Sequence, residues 1–393
     1  MSDSPDIQQI LNTYLAGYRQ NHILDGRRSQ VCGHIQQCHT EAMGGMQMRC
    51  DHCSHEVAFY YGCRDRHCPQ CQYRASQQWA NKQLKSTLSV TYYHHVCTLP
   101  HCLNPWVQLH PKVIYQLFFE SVWATLNAFG HDPKRLGGQL GVTMMLHTWG
   151  QTLIRHVHLH CLIPGGVLTP EGEWKSAKST YLFPVRAISR HLRGTMVSKL
   201  REAFETGKLP RVVNEGEPQC TLDKAMAKEW VVFTKPRIDH TQDVVKYLAR
   251  YSHRVAISNS RILSMEDNQI QFRYKDYRDN KTKVMGLEAD QFIQRYLLHV
   301  LPKGVQRIRY CGFMANCCRA AKLSQIRKSI RAQKKDDWVL KPVVDSDQDN
   351  EVFPCPKCKD GKMWVYAELP RRRLDGGVMW INFVKQTQKN KGY

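Results

Sequence analysis

Three groups of side chains in this sequence have types and spacings that could do chemistry. The first lies in CDHCSHEVAFYYGCRDRHCPQC, which holds two Cys-x-x-Cys pairs, Cys50/Cys53 and Cys68/Cys71. Such a pair turns the chain so that both thiolates face one ion, and two pairs complete a closed tetrahedral zinc site. Cys32, His34, Cys38, His39, Cys63 and His67 surround them. Of these, Cys38, Cys63 and His67 are the candidates for a second zinc site. Arg64, Arg66 and Arg74 lie among the ligands, as expected of a module that grips DNA phosphates while metal fixes its backbone. Far along the chain, Cys355-Pro-Lys-Cys358 is a lone half-site, with Cys311, Cys317 and Cys318 as candidate partners.

The second group is RHVHLHCLIP, where His156, His158 and His160 alternate. In a strand all three point to one face. Two imidazoles on one face can hold a divalent cation and leave positions open for a phosphate oxygen and water. A third ligand is expected from the neighbouring strand or turn, with Gln151 and its rival His147 both in reach. The third group is VVKYLARYSHR. Tyr247 and Tyr251 are four residues apart, on one face of a helix. Lys246, Arg250, His253 and Arg254 crowd the same two turns, which suits a helix beside a phosphate backbone. A phenol with an ordinary pKa near 10 is a poor nucleophile at neutral pH, so cations and a metal-bound phosphate must help it ionise.

These groups need elements to hold them. Residues 1–28 read as an N-terminal helix, with Ile7, Ile10, Leu11, Tyr14, Leu15 and Tyr18 at helical spacing. Residues 29–75 cannot bury a core alone and need metal to fold. A polar helix follows over 76–90. Strands are predicted at 91–100, 139–149, 155–164, 229–236 and 269–277, and helices at 106–129, 184–206, 241–251 and 288–301. The resulting division is a zinc-binding, DNA-binding module over 29–75, a core with the histidine strand and the tyrosine helix over 76–265, a basic helical region over 266–340, and a linker with a Cys-x-x-Cys tail over 341–393.

Composition narrows the partners. Lys and Arg number 56 against 34 Asp and Glu, a net charge of +22. That surplus points to a polyanion and is spread along the whole chain. No stretch approaches the roughly 20 apolar residues of a membrane span, and MSDSPDIQQI lacks a signal-peptide pattern. A cytoplasmic protein is expected. In that reducing compartment the 16 cysteines are better read as metal ligands and buried thiols than as disulfides. No G-x-x-x-x-G-K-[ST] loop is present, so ATP hydrolysis is not expected, and a host helicase or the replication machinery must open duplex.

Taken in order, RCDHCSHEVAFYYGCRDRHCPQCQ, VCTLP, HTWGQTLIRHVHLHCLIPGG, KYLARYSHRVAISNSRI and FIQRYLLHVLPKGVQRIRYCGF resemble the two-tyrosine transposases of the IS-ninety-one family of insertion sequences. That family lies within the HUH endonuclease superfamily. The resemblance implies an α+β fold: a central antiparallel sheet flanked by helices, an N-terminal zinc-binding module and a basic C-terminal region. It maps the metal histidines onto His158 and His160 and the third ligand onto Gln151, although His156 leaves a second frame open. The nucleophiles map onto Tyr247 and Tyr251. It implies Mg²⁺ or Mn²⁺ at the nuclease site, zinc in the module, and a 5′-phosphotyrosine intermediate on single-stranded DNA at transposon ends. A rolling-circle replication initiator would use the same residues. A non-catalytic zinc-dependent DNA-binding regulator would explain the cysteines and the charge but neither the histidine strand nor the tyrosine pair.

Overall fold

The computed structural model describes residues 4–84, 86–212, 216–238, 244, 255–333, 353–372 and 378–379. The chain opens with α1 (Ile7–Asn21) and α2 (Gly26–Gln37), then the hairpin β1 (Gly45–Cys50) and β2 (Glu56–Tyr60), then α3 (Pro69–Leu84). The core follows as β3 (Tyr92–Thr98), α4 (Asn104–Leu109), α5 (Pro111–His131), β4 (Gly141–Trp149), β5 (Arg155–Pro164), the small hairpin β6 (Gly166–Leu168) and β7 (Trp174–Ser176), α6 (Val185–Glu205), α7 (Glu217–Ala227) and β8 (Val232–Ile238). After it come β9 (Ile262–Glu266), β10 (Gln269–Asp276), β11 (Lys281–Glu288), α8 (Ala289–Leu297), β12 (Ile308–Gly312), α9 (Arg319–Gln333), β13 (Phe353–Pro354) and β14 (Lys362–Leu369).

Local chemistry explains the main boundaries. Asp6 caps α1 and Gln9 reaches back to the Asp6 N–H, a reciprocal capping box. Two helices, not one, occupy the N-terminus, because Asp25 caps a second start at Gly26. The helix predicted over 106–129 is likewise divided. Pro111 disfavours helical backbone at the residue before it, and His110 sits at φ −132°, ψ 55°.

The central sheet has five strands in the order β12-β4-β5-β3-β8, and every pairing is antiparallel. Its two faces differ through period-two alternation. Val142, Met144 and Leu146 of β4 join Val157, Leu159, Cys161 and Ile163 of β5 on one face. There α5 covers them with Ile114, Phe118 and Val122, and α6 with Leu192 and Met196. Each such apolar side chain contributes about 1.5–3 kcal/mol by leaving water. The opposite face carries Tyr92, Met145 and Leu162, packed with Val244, and on the same strands the histidines of interest. The protein is thus α+β, with a central antiparallel sheet and helices on it.

Two features depart from the expected organisation. The segment 266–340 is not mainly helical: it holds most of the meander β9-β10-β11, and it adds β12 to the edge of the central sheet. The tail is not separate. β13 and β14 join the N-terminal hairpin in one sheet, ordered β13-β14-β1-β2, with Cys50 opposite Met363. Among the described residues no helix is long and apolar enough to cross a membrane.

Candidate functional site

β4 and β5 place His147 directly opposite His158. His160 lies two residues further along β5, so alternation turns all three imidazoles to the same face. Their ligand nitrogens all lie within 4.8 Å of one another. His147 stacks on Trp149, with ring centroids 4.6 Å apart and planes within 18°, which fixes its orientation.

Hydrogen bonds set which nitrogen each ring offers. His158 Nδ1 donates to the His156 carbonyl at 2.9 Å, so its basic lone pair is on Nε2. His160 Nδ1 lies 3.0 Å from His94 Nε2 on β3. Burial, with Lys235 and neighbouring histidines adding to it, lowers His94 to about 3, so it is neutral at physiological pH. A neutral His94 can accept the Nδ1 proton of His160 and leave His160 Nε2 basic. Three imidazoles whose ligand nitrogens converge in this way can hold a divalent cation.

Gln151, the other candidate for a third ligand, makes its side-chain bonds elsewhere. It follows the end of β4, in the turn before β5, and its amide turns to the meander instead. Nε2 donates to the Tyr277 hydroxyl at 3.2 Å and Oε1 accepts from the Lys275 N–H at 3.4 Å. The register, and not proximity in sequence, brings His147 to the pair. His156 shares the strand face, but its Nδ1 faces His101 Nε2 at 3.1 Å. The frame that collects a third histidine is His158 and His160. Tyr247 and Tyr251, with Lys246, Arg250 and Arg254, lie outside the described residues.

The cysteines assort differently from the expectation. Cys50 and Cys53 do not share a site with Cys68 and Cys71. Cys38, Cys63, Cys68 and Cys71 form one quartet, and Cys50, Cys53, Cys355 and Cys358 another. In the first, the Cys38–Cys71, Cys63–Cys71 and Cys38–Cys68 sulfurs are 3.5, 3.7 and 3.6 Å apart. Four thiolates at 2.3 Å around a tetrahedral zinc lie about 3.8 Å from one another, so the spacing fits. The Arg64 N–H points at Cys71 Sγ from 3.3 Å. A Cβ on Gly62 would sit 2.9 Å from the same sulfur, which explains glycine there. The pairing escaped the spacing argument because β1 and β2 carry Cys50 and Cys53 away from α3, where Cys71 begins the helix.

His67 lies outside the quartet. Its Nδ1 bonds Asp65 Oδ1 at 2.8 Å and its Nε2 accepts the Leu301 N–H at 3.1 Å, so both ring nitrogens are engaged. Burial lowers its pKa and keeps it neutral. Burial alone would raise the Asp65 carboxyl, but hydrogen bonds from His67 and His34 outweigh it and hold it well below the usual range. Arg66, expected at DNA, is engaged within the protein. Its guanidinium donates to the carbonyls of Val305, Leu301 and Pro302, and Arg307 returns a bond to the Arg66 carbonyl at 2.7 Å. The loop from Cys63 to Cys68 is therefore docked on the segment that leads into β12. Arg64 remains exposed at φ 55°.

Comparison with known proteins agrees with this layout. The family described as "Transposase zinc-binding domain" matches residues 10–99, which contain the first quartet. The family described as "Putative transposase" matches residues 141–321, which contain β4 and β5. The chain is 38% identical to "Putative transposase y4qJ" of Sinorhizobium fredii over 374 residues, 91% of this chain and 94% of that protein. It is 27% identical to "Transposase for insertion sequence element IS801" of Pseudomonas savastanoi pv. phaseolicola over 297 residues, 71% of this chain and 68% of that protein. No solved structure matches. On this evidence the chain belongs to the IS-ninety-one family of insertion-sequence transposases.

Proposed function

We propose that the protein nicks and rejoins single-stranded DNA at insertion-sequence ends, with Tyr247 and Tyr251 as nucleophiles and the face of β4 and β5 as the metal-dependent centre. The observation that carries this reading is the convergence of His147, His158 and His160 within 4.8 Å on one face of an antiparallel sheet. His147, His158 and His160 would hold a divalent cation, Mg²⁺ or Mn²⁺, which would supply positive charge to a phosphate oxygen. The chain does the rest. A tyrosine Oη bonds the 5′-phosphorus while the bond from phosphorus to the 3′ oxygen breaks, and the proton lost from Oη is balanced by one taken up by the 3′ oxygen, leaving a 3′-OH. The new ester conserves the energy of the cut bond, so a second strand can be joined without ATP. A second phenol, four residues away in the sequence, can hold the other strand. Lys246, Arg250, Arg254 and Arg64 are assigned to the DNA backbone, whose contacts dominate affinity without specifying sequence.

Zinc in the module is assigned to Cys38, Cys63, Cys68 and Cys71, whose sulfur spacing matches a closed tetrahedral site. A role for host helicase or replication proteins in opening duplex, and action in the bacterial cytoplasm, belong to the same reading.

The test is incubation with end-labelled single-stranded oligonucleotides carrying the element's ends and Mn²⁺ or Mg²⁺. Label should remain on the denatured protein and disappear in excess EDTA. Tyr247→Phe combined with Tyr251→Phe should abolish the adduct while leaving binding intact. An adduct mapped by mass spectrometry to any other residue would overturn the assignment.

A further inference from the structure

The second cysteine quartet draws on both ends of the chain, and neither family match covers its C-terminal half: the matches end at residue 321. We infer that Cys50, Cys53, Cys355 and Cys358 bind a structural zinc ion that clasps the C-terminal tail onto the N-terminal module.

Several independent features of geometry point the same way. Cys50 Sγ lies 3.7 Å from Cys358 Sγ, and Cys53 Sγ lies 3.7 Å from Cys355 Sγ. A disulfide would bring sulfurs to about 2.05 Å, whereas zinc thiolates stand about 3.8 Å apart. Apolar packing alone gives no reason for four thiols to converge.

The two halves also have the same local build. Each Cys-x-x-Cys lies in a tight hairpin: the Cys50 N–H bonds the His55 carbonyl at 2.9 Å, and the Cys355 N–H bonds the Gly361 carbonyl at 2.8 Å. After the second cysteine of each pair, one residue takes the left-handed conformation, Ser54 at φ 56° and Lys359 at φ 63°. That costs energy for a side-chain-bearing residue, so its recurrence at equivalent places marks a required backbone path. Backbone N–H groups point at sulfur in both loops: His52 and Cys53 at Cys50 Sγ from 3.4 Å each, and Gly361 at Cys358 Sγ from 3.3 Å. Thiolate is the form that binds metal, and these N–H groups supply the sulfurs with hydrogen-bond donors.

The halves are also fitted to one another. A Cβ at Gly361 would lie 2.4 Å from Cys50 Sγ, so only glycine lets the loops close this far. Asp51 and Lys362 exchange two bonds across the junction, Asp51 N–H to the Lys362 carbonyl at 3.1 Å and Lys362 N–H to Asp51 Oδ1 at 2.7 Å. The strands that follow continue the union, since β14 is the interior partner of both β1 and β13. Four sulfurs in a closed set select zinc, or iron of a sulfur-ligated kind, over oxygen-loving cations.

The clasp is testable on the intact protein without reference to nuclease activity. Purified full-length protein should carry two zinc ions per chain by elemental analysis, one for each quartet. Cys355→Ser combined with Cys358→Ser should retain one. In a second arm, a specific protease site is inserted between residues 334 and 352. After cleavage the C-terminal fragment should stay with the rest of the protein through gel filtration and separate when a zinc chelator is added. One zinc per chain in the wild type, iron in its place, or a fragment that separates without chelator would overturn the inference. So would an intact mass lower than the reduced chain by the hydrogens of two disulfides.

Discussion

His94 gives the sharpest test of the proposed metal centre, because it reaches that centre only through another residue. It is 1% exposed, and its Nε2 lies 3.0 Å from His160 Nδ1. His94→Ala removes the ring that His160 Nδ1 bonds, and with it what holds the His160 ring plane. Loss of such an outer partner typically weakens metal binding 10–100-fold, equivalent to about 1.4–2.8 kcal/mol. The assay is oligonucleotide cleavage titrated with Mn²⁺. The concentration of metal giving half-maximal rate should rise by that factor, while the rate at saturating metal recovers to near wild type. His94→Gln keeps an acceptor oxygen in similar volume and should restore most of the metal affinity. Thermal melting of each variant without metal separates this from simple destabilisation. An unchanged Mn²⁺ requirement, or a rate loss that saturating Mn²⁺ does not repair, would refute the reasoning.

Three further outcomes are expected. His147→Ala should abolish cleavage at ordinary metal concentrations and Gln151→Ala should not; the reverse result would restore the turn residue as the third ligand. Arg66→Ala should lower stability by roughly 2–4 kcal/mol in urea unfolding, since charge-assisted bonds to three carbonyls are lost, whereas Arg64→Ala should leave stability alone and weaken DNA binding. Finally, the buried His299 bonds Thr148 and the Leu153 carbonyl, and burial lowers it from 6.5 to about 4. Its contribution is whole above pH 6.5 and is lost as pH falls through 6.5 toward 4, by about 3 kcal/mol. His299→Gln should flatten the stability profile across that window, as read by denaturant midpoints at each pH.

The parts of this fold that were readable in the sequence are those whose signal is local. Alternation in RHVHLHCLIP gave a strand and a face, and β5 spans Arg155–Pro164 with His158 and His160 on that face. The spacing of Ile7, Ile10, Leu11 and Leu15 gave the buried stripe of α1. What failed depended on register and long-range closure. The strand predicted at 139–149 already ends before Gln151, but nothing local shows that its amide turns to the meander, and His147 stands opposite His158 only once β4 and β5 are paired. His94 was hidden because a His-His step in a strand looks the same whichever neighbour it meets. Two Cys-x-x-Cys motifs in one segment invite pairing with each other, yet each quartet recruits from elsewhere, Cys38 and Cys63 upstream and Cys355 and Cys358 far downstream. β12 was missed because a five-residue edge strand carries too little alternation to stand out beside its basic neighbours.

The interior place of β14 in the first sheet also sets a clock on synthesis. Cys50 and Cys358 are 308 positions apart, and ribosomes add about 5–20 residues per second. For about 15–60 s after β1 and β2 emerge, the nascent chain has only a two-stranded hairpin there, a unit with marginal stability of its own. One edge of β1 is then unpaired, with Met46 and Met48 beside it, and an open edge is a template for whatever strand arrives first. On a crowded polysome the nearest strands belong to other nascent copies, so the cell's chaperone supply and the speed of translation govern how many chains ever acquire the finished sheet. Synonymous codons that slow the ribosome between residues 60 and 350 should lower the yield of soluble protein without altering a single side chain.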